Sequence, residues 1–91
     1  MSYWNDKAKR LLKSELIKRG VSNSDLTMRL NGLGIQETKS GIESKISRGT
    51  FSATFFIQCL SAIGCEKLEI ESYETELSIA AEQQPKYNNN K

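Results

Sequence analysis

Thr38-Lys39-Ser40-Gly41-Ile42-Glu43-Ser44-Lys45-Ile46-Ser47-Arg48-Gly49 contains two large apolar side chains, and they stand four residues apart. At about 100° per residue, Ile42 and Ile46 share one narrow helical face, and Ser40, Ser44, Ser47 and Arg48 fall opposite them. Glu43, Lys39 and Lys45 flank that polar side. Thr38 is the expected N-cap, and the spacing predicts a helix over 38–48 closed by Gly49. Gly41 costs such a helix about 1 kcal/mol relative to alanine. Docking of Ile42 and Ile46 on other elements must therefore hold it, which makes the rest of the chain a search for the surface that receives them.

Downstream, Ser52 caps a helix whose residues Phe55, Phe56, Cys59, Leu60 and Ile63 form the heaviest apolar face of the chain, with Gly64 at its end. Phe51 precedes the cap and is placed to staple onto Phe56. Upstream, Ser22 and Asp25 form a capping-box pair, Val21 is placed to staple onto Leu26, and Leu26, Leu30 and Leu33, with help from Met28, make the expected buried face of a helix that stops at Gly32/Gly34. Before it, Asn5 is the expected N-cap of a four-turn helix with Ala8, Leu11, Leu12, Leu16 and the stem of Arg19 at helical spacing. Gly20 suits a left-handed stop, with Val21 packing back on Leu16. The Gly-Val link predicts that the first two helices pack on each other at a steep angle.

After Cys65 the period changes to two. Leu68, Ile70 and Ser72 alternate with Glu69, Glu71 and Tyr73, which reads as a short strand or extended arm. A lone strand beside helices has no partner within the chain, so residues 67–73 are expected either to lie along the body as an extended arm or, the preferred reading, to pair with the same stretch of a second copy in a homodimer. The expected organisation is a helical domain over 4–64, an arm over 65–74 and a weakly structured tail over 75–91.

Ninety-one residues with 37% apolar content make one small domain and leave no room for a second. The formal charge of +2 conceals an asymmetry. Up to Gly64 ten basic residues face five acidic ones, and from Cys65 onward three face six. A basic body favours a polyanionic partner, and duplex DNA is the expected one. No run of residues is long and apolar enough for a bilayer, and the first residues lack the regions of a signal peptide, so the chain reads as cytoplasmic. With two cysteines and no histidine, no structural zinc set and no Cys-His nucleophile is available. No phosphate-cradling glycine loop follows a strand. The expectation is a binding protein without cofactor or metal rather than an enzyme.

Tight glycine stops and an Ile-x-x-x-Ile-x-Arg-Gly run before a strongly apolar helix carry a resemblance. Residues 5–64 resemble the lambda-repressor-like, Cro/C1-type helix-turn-helix fold, with Ser22-x-x-x-Leu26 and Arg48-Gly49 at the matching places. Asn5 to Lys13, Arg19-Gly20-Val21-Ser22 and Lys45 to Ser52 look more specifically like a family of short uncharacterised bacterial proteins. The resemblance implies an all-α, four-helix bundle and a bacterial transcriptional regulator that sets helix 38–48 in the major groove. It implies base contacts from Thr38, Lys39, Ser40, Glu43 and Ser44, whose donors and acceptors suit base edges. Ser22, Asn23 and Ser24, at a helix N-terminus, would meet phosphate, as would Lys45, Arg48 and Thr50. The segment between Leu26 and Ile42 is longer than that family's usual turn, and Thr27 stands where a smaller residue is usual. An alternative function is a protein-interaction module that uses the bundle and the acidic arm without DNA.

Overall fold

The structure, a computed structural model, describes residues 2–70. Four helices follow one another: α1 (Tyr3–Lys18), α2 (Asn23–Gly32), α3 (Lys39–Arg48) and α4 (Ala53–Ala62). Among the described residues there is no strand. Residues 65–69, the start of the expected arm, are neither helix nor strand, and Leu68 packs partly on the core. Ile70, expected in the strand, is helical and exposed, and residues 71–74 of the arm and the 75–91 tail lie outside the described residues.

Side chains placed by local sequence form the helix boundaries. The Ser22 hydroxyl accepts from the Asp25 N–H at 3.1 Å while the Asp25 carboxylate accepts from the Ser22 N–H at 3.3 Å, a complete capping box. Thr38 and Ser52 cap α3 and α4 by accepting from Gly41 and Phe55 N–H groups. Phe51 stacks on Phe56 with ring centroids 5.7 Å apart, the expected staple. At the end of α1, Gly20 takes φ +68, and the Val21 and Gly20 N–H groups donate to the Leu16 and Ile17 carbonyls at 2.9 and 3.0 Å. This is the paired hydrogen-bond closure that turns the chain directly into α2. One boundary differs from the expectation. α1 is capped by Ser2, whose hydroxyl accepts from Asn5 N–H, so Asn5 lies in the first turn rather than at the cap.

The core gathers Leu12 and Leu16 of α1, Val21, Leu26 and Leu30, Ile42 and Ile46 of α3, and Phe55, Cys59, Leu60 and Ile63 from α4 and its end. α3 thus receives its required surface. It packs mainly against α1 and α2, and α4 closes the other side of α2. α1 and α2 share the core through Leu12, Leu16, Leu26 and Leu30, while the closer backbone approaches are those of α3 to both helices. The closure at Gly20 sends α2 off from the end of α1, and α3 fills the angle between them. Leu33 and Met28 are corrected as well. They are 59% and 68% exposed, because Leu33 follows the last turn of α2 and Met28 stands on the face away from Leu26 and Leu30.

Among the described residues, one charged side chain is buried. Glu15 of α1 has its carboxylate paired with Arg19 and, at 3.3 Å, with Lys18, and it accepts from the Cys65 thiol at 3.7 Å. A buried carboxylate needs such compensation. Here it ties the segment after α4 back to α1.

Candidate nucleic-acid interface

On α3 the burial follows the apolar pair. Ile42 and Ile46 are buried, while Lys39, Ser40, Glu43, Ser44, Ser47 and Arg48 are exposed. Ser40 and Ser44 form an outward crest. The Arg48 guanidinium donates to the Ser44 hydroxyl, and Lys39 and Glu43 form an exposed pair at 3.8 Å. Such a pair contributes little to stability, so both side chains are available to a partner.

A groove runs along each side of the crest. The first, of about 300 Å³, is lined by Lys9 and Lys13 of α1, by Ser22 and Asn23 at the start of α2, and by Glu43 and Ser47 of α3, over a floor of Leu16, Val21 and Ile46 with the exposed Ile17 at its rim. The other cations of α1 are engaged elsewhere. Arg10 pairs with Asp6 at 2.9 Å, Lys18 and Arg19 pair with Glu15, and Lys7 lies over the Trp4 ring at 5.4 Å. Lys9 and Lys13 form no ion pair among the described residues, and they face this groove. At its end the first N–H groups of α2 have no acceptor within the helix and add the positive end of the helix dipole. The Ser22 hydroxyl is already engaged in the cap, so Asn23 and the backbone carry that end. Ser24 is exposed in the same first turn but does not line the groove.

The second groove lies between the end of α3 and the start of α4, lined by Lys45, Arg48, Thr50, Phe51, Ser52 and Phe55. Arg48 and Thr50 are exposed, and the start of α4 supplies another set of free N–H groups. Lys45 differs from them. Its ammonium sits on the Glu37 carboxylate at 2.5 Å and over the Phe55 ring at 4.8 Å. Thr38 stands apart from both grooves, in a separate depression with Asn31, Gln36 and Glu37.

The structure therefore brings Ser22, Asn23 and Glu43 together on one flank and Lys45, Arg48 and Thr50 on the other. Lys39, Ser40 and Ser44 stand on the exposed face between or beside them. Lys9, Lys13, Ser47 and Ser52 complete the two grooves and are absent from the sequence-derived set of contacts. The four-residue spacing of Lys9 and Lys13, along the edge of the stripe that includes Leu16, is the sequence feature that marks them.

Both cysteine thiols are shifted upward by their surroundings. Burial pushes the Cys59 thiol up to about 12, helped by the Glu37 carboxylate and opposed by Lys45, so it stays protonated at neutral pH. The Cys65 thiol is raised too, by burial and then by Glu15. No helix among the described residues is long and apolar enough to cross a membrane.

Residues 4–68 match a family described as Domain of unknown function (DUF6471). The chain belongs to this family. The match fits the resemblance to short uncharacterised proteins, and its description assigns neither a fold nor an activity. No curated protein and no solved structure matches the chain. The DUF6471 span takes in all but the first residue of the four helices, and every residue that lines the two grooves lies within it.

Proposed function

We propose that the chain is a duplex-DNA-binding protein, a bacterial transcriptional regulator of lambda-repressor-like type, which sets α3 in the major groove. The observation that carries this reading is the placement of two helix N-termini, with Lys9, Lys13 and Arg48, in grooves on opposite sides of the α3 crest. A major groove admits a helix about 10–12 Å across and is bounded on both sides by phosphate. A recognition helix therefore needs polar groups on its crest and anion-binding groups on both flanks, which is the arrangement around α3.

In this reading Ser40, Ser44 and the Lys39/Glu43 pair meet base edges, with Thr38 at the helix start. Asn23, Ser24, Lys9 and Lys13 hold one phosphate strand, and Arg48, Thr50 and the start of α4 hold the other. The six residues between α2 and α3, longer than a tight turn, displace α3 along the groove without removing either flank. Pairing through residues 67–73 would supply the two-fold symmetry of paired half-sites. A monomer mass for the full chain by light scattering would remove that part of the proposal.

The test is duplex binding by fluorescence anisotropy across a salt series. Log K is expected to fall linearly with log salt, with a slope near −0.9 for each phosphate engaged. The change Lys9→Ala/Lys13→Ala/Arg48→Ala is expected to flatten that slope by roughly 2 to 3. No binding at low salt, or a slope untouched by the triple change, sinks the DNA reading and favours the protein-interaction module.

A further inference from the structure

Ile42 and Ile46 are the two large apolar side chains that dock α3, and they cover one narrow face of it. The segment before it, residues 33–38, is free of helix or strand and must be pinned if the crest of α3 is to hold one position. The pin is Glu37. Its N–H donates to the Asn31 side-chain oxygen at 3.1 Å, and its carboxylate meets the Lys45 ammonium, which also lies over Phe55 of α4. One side-chain pair thus joins the connecting segment, α3 and α4.

The Glu37 side chain is only 12% exposed and Lys45 is 40% exposed, so the carboxylate end of the pair is shielded from water while the ammonium end is partly screened. Gly41 fits the same device. A Cβ there would stand 3.0 Å from the Thr38 capping oxygen and 3.6 Å from a Glu37 carboxylate oxygen. The glycine that weakens α3 leaves room for the Thr38 cap, and the Glu37 carboxylate stands at ordinary contact distance beside it at the positive end of the helix.

We infer that Glu37 and Lys45 are positioning residues for the α3 crest, and that Lys45 influences a bound polyanion through the placement of α3 rather than by touching phosphate. The inference rests on the DNA reading for its consequence and on the geometry of the pair for its mechanism. Lys45 already carries a counter-charge, so it releases no counterion when phosphate approaches.

The experiment measures duplex binding across a salt series for full-length wild type, Lys45→Met, Glu37→Gln, the charge swap Glu37→Lys/Lys45→Glu and Arg48→Met, together with amide hydrogen exchange of α3. Lys45→Met is expected to weaken binding by about tenfold, the effect of a coupling in the middle of the usual range for contacting residues. It should leave the salt slope unchanged, whereas Arg48→Met lowers the slope by about 0.9. The charge swap is expected to recover most of the affinity, and Glu37→Gln to speed exchange of the α3 amides relative to those of α1. A slope reduced by Lys45→Met, or a swap no better than the single changes, overturns the inference. If wild type fails to bind duplex DNA, the DNA reading falls by itself. The pin is then decided by exchange, and α3 amides unaffected by Glu37→Gln overturn it.

Discussion

Gly49→Ala compared with Gly20→Ala separates backbone strain from the fit between helices. Both glycines hold the left-handed conformation, at φ +67 and +68. Alanine in that region is disfavoured by about 1–2 kcal/mol. At Gly20 a Cβ meets no heavy atom within 4 Å, so the cost ends there. At Gly49 the same Cβ would lie 2.2 Å from the Asn5 carbonyl oxygen and 2.9 Å from its carbon, backbone atoms in the first turn of α1. That is roughly 1 Å inside ordinary contact, and no rotamer change relieves it. The junction after α3 must retreat from α1, which adds about 1–3 kcal/mol of overpacking. The expected losses are about 1–2 kcal/mol for Gly20→Ala and about 2–5 kcal/mol for Gly49→Ala. At about 4–8 °C per kcal/mol for a domain of this size, the extra overpacking should set the two melting temperatures apart by about 4 °C or more. Urea and thermal melts of the full chain followed by far-UV circular dichroism give both values. Equal losses would refute the close approach of the first turn of α1 to the end of α3.

Two further outcomes follow from the buried polar groups. Glu15→Ala is expected to cost about 2–4 kcal/mol by urea denaturation, because it strands the half-buried Arg19 and frees Cys65, while Glu15→Gln keeps an acceptor and costs less. A neutral Glu15→Ala would show that the pair does not compensate its burial. Cys59 should resist a thiol reagent at pH 8 until the chain unfolds, with Cys65 reacting first and more slowly than a free thiol. Prompt reaction of both thiols would contradict the burial. The sign of the pH dependence follows: the folded state holds the Cys59 proton up to about 12 while the unfolded thiol releases it from about 9, so this contribution to stability is complete below pH 9 and is lost as pH rises towards 12.

Most of the bundle is encoded within a few residues of each helix end. Ser22 with Asp25, Thr38, Ser52, Gly20 and Gly49 fix the boundaries through hydrogen bonds that span three to five residues, so their spacing alone reveals them. The start of α1 escaped this reading because Ser2 and Asn5 are both competent caps and propensity does not rank them. Leu33 and Met28 escaped it because an apolar residue is not obliged to be buried, and only the packing of α4 beside α2 decides which positions are covered.

By itself the sequence determined that α3 is a polar helix held by Ile42 and Ile46, that three other amphipathic helices surround it, and that the charge before Gly64 is basic. Periodicity and capping are local, and they need no knowledge of neighbours. What stands beside α3 was decided only by tertiary structure. The grooves join Lys9 and Lys13 to Asn23 and Ser47 on one flank, and Arg48 to Thr50 and Ser52 on the other. Tertiary structure also moved Lys45 from a free cation to the partner of Glu37. A charge at a given position looks the same in sequence whether it faces water or a carboxylate eight residues away, because its state depends on how an irregular connection folds, and no residue pattern in that connection sets its path.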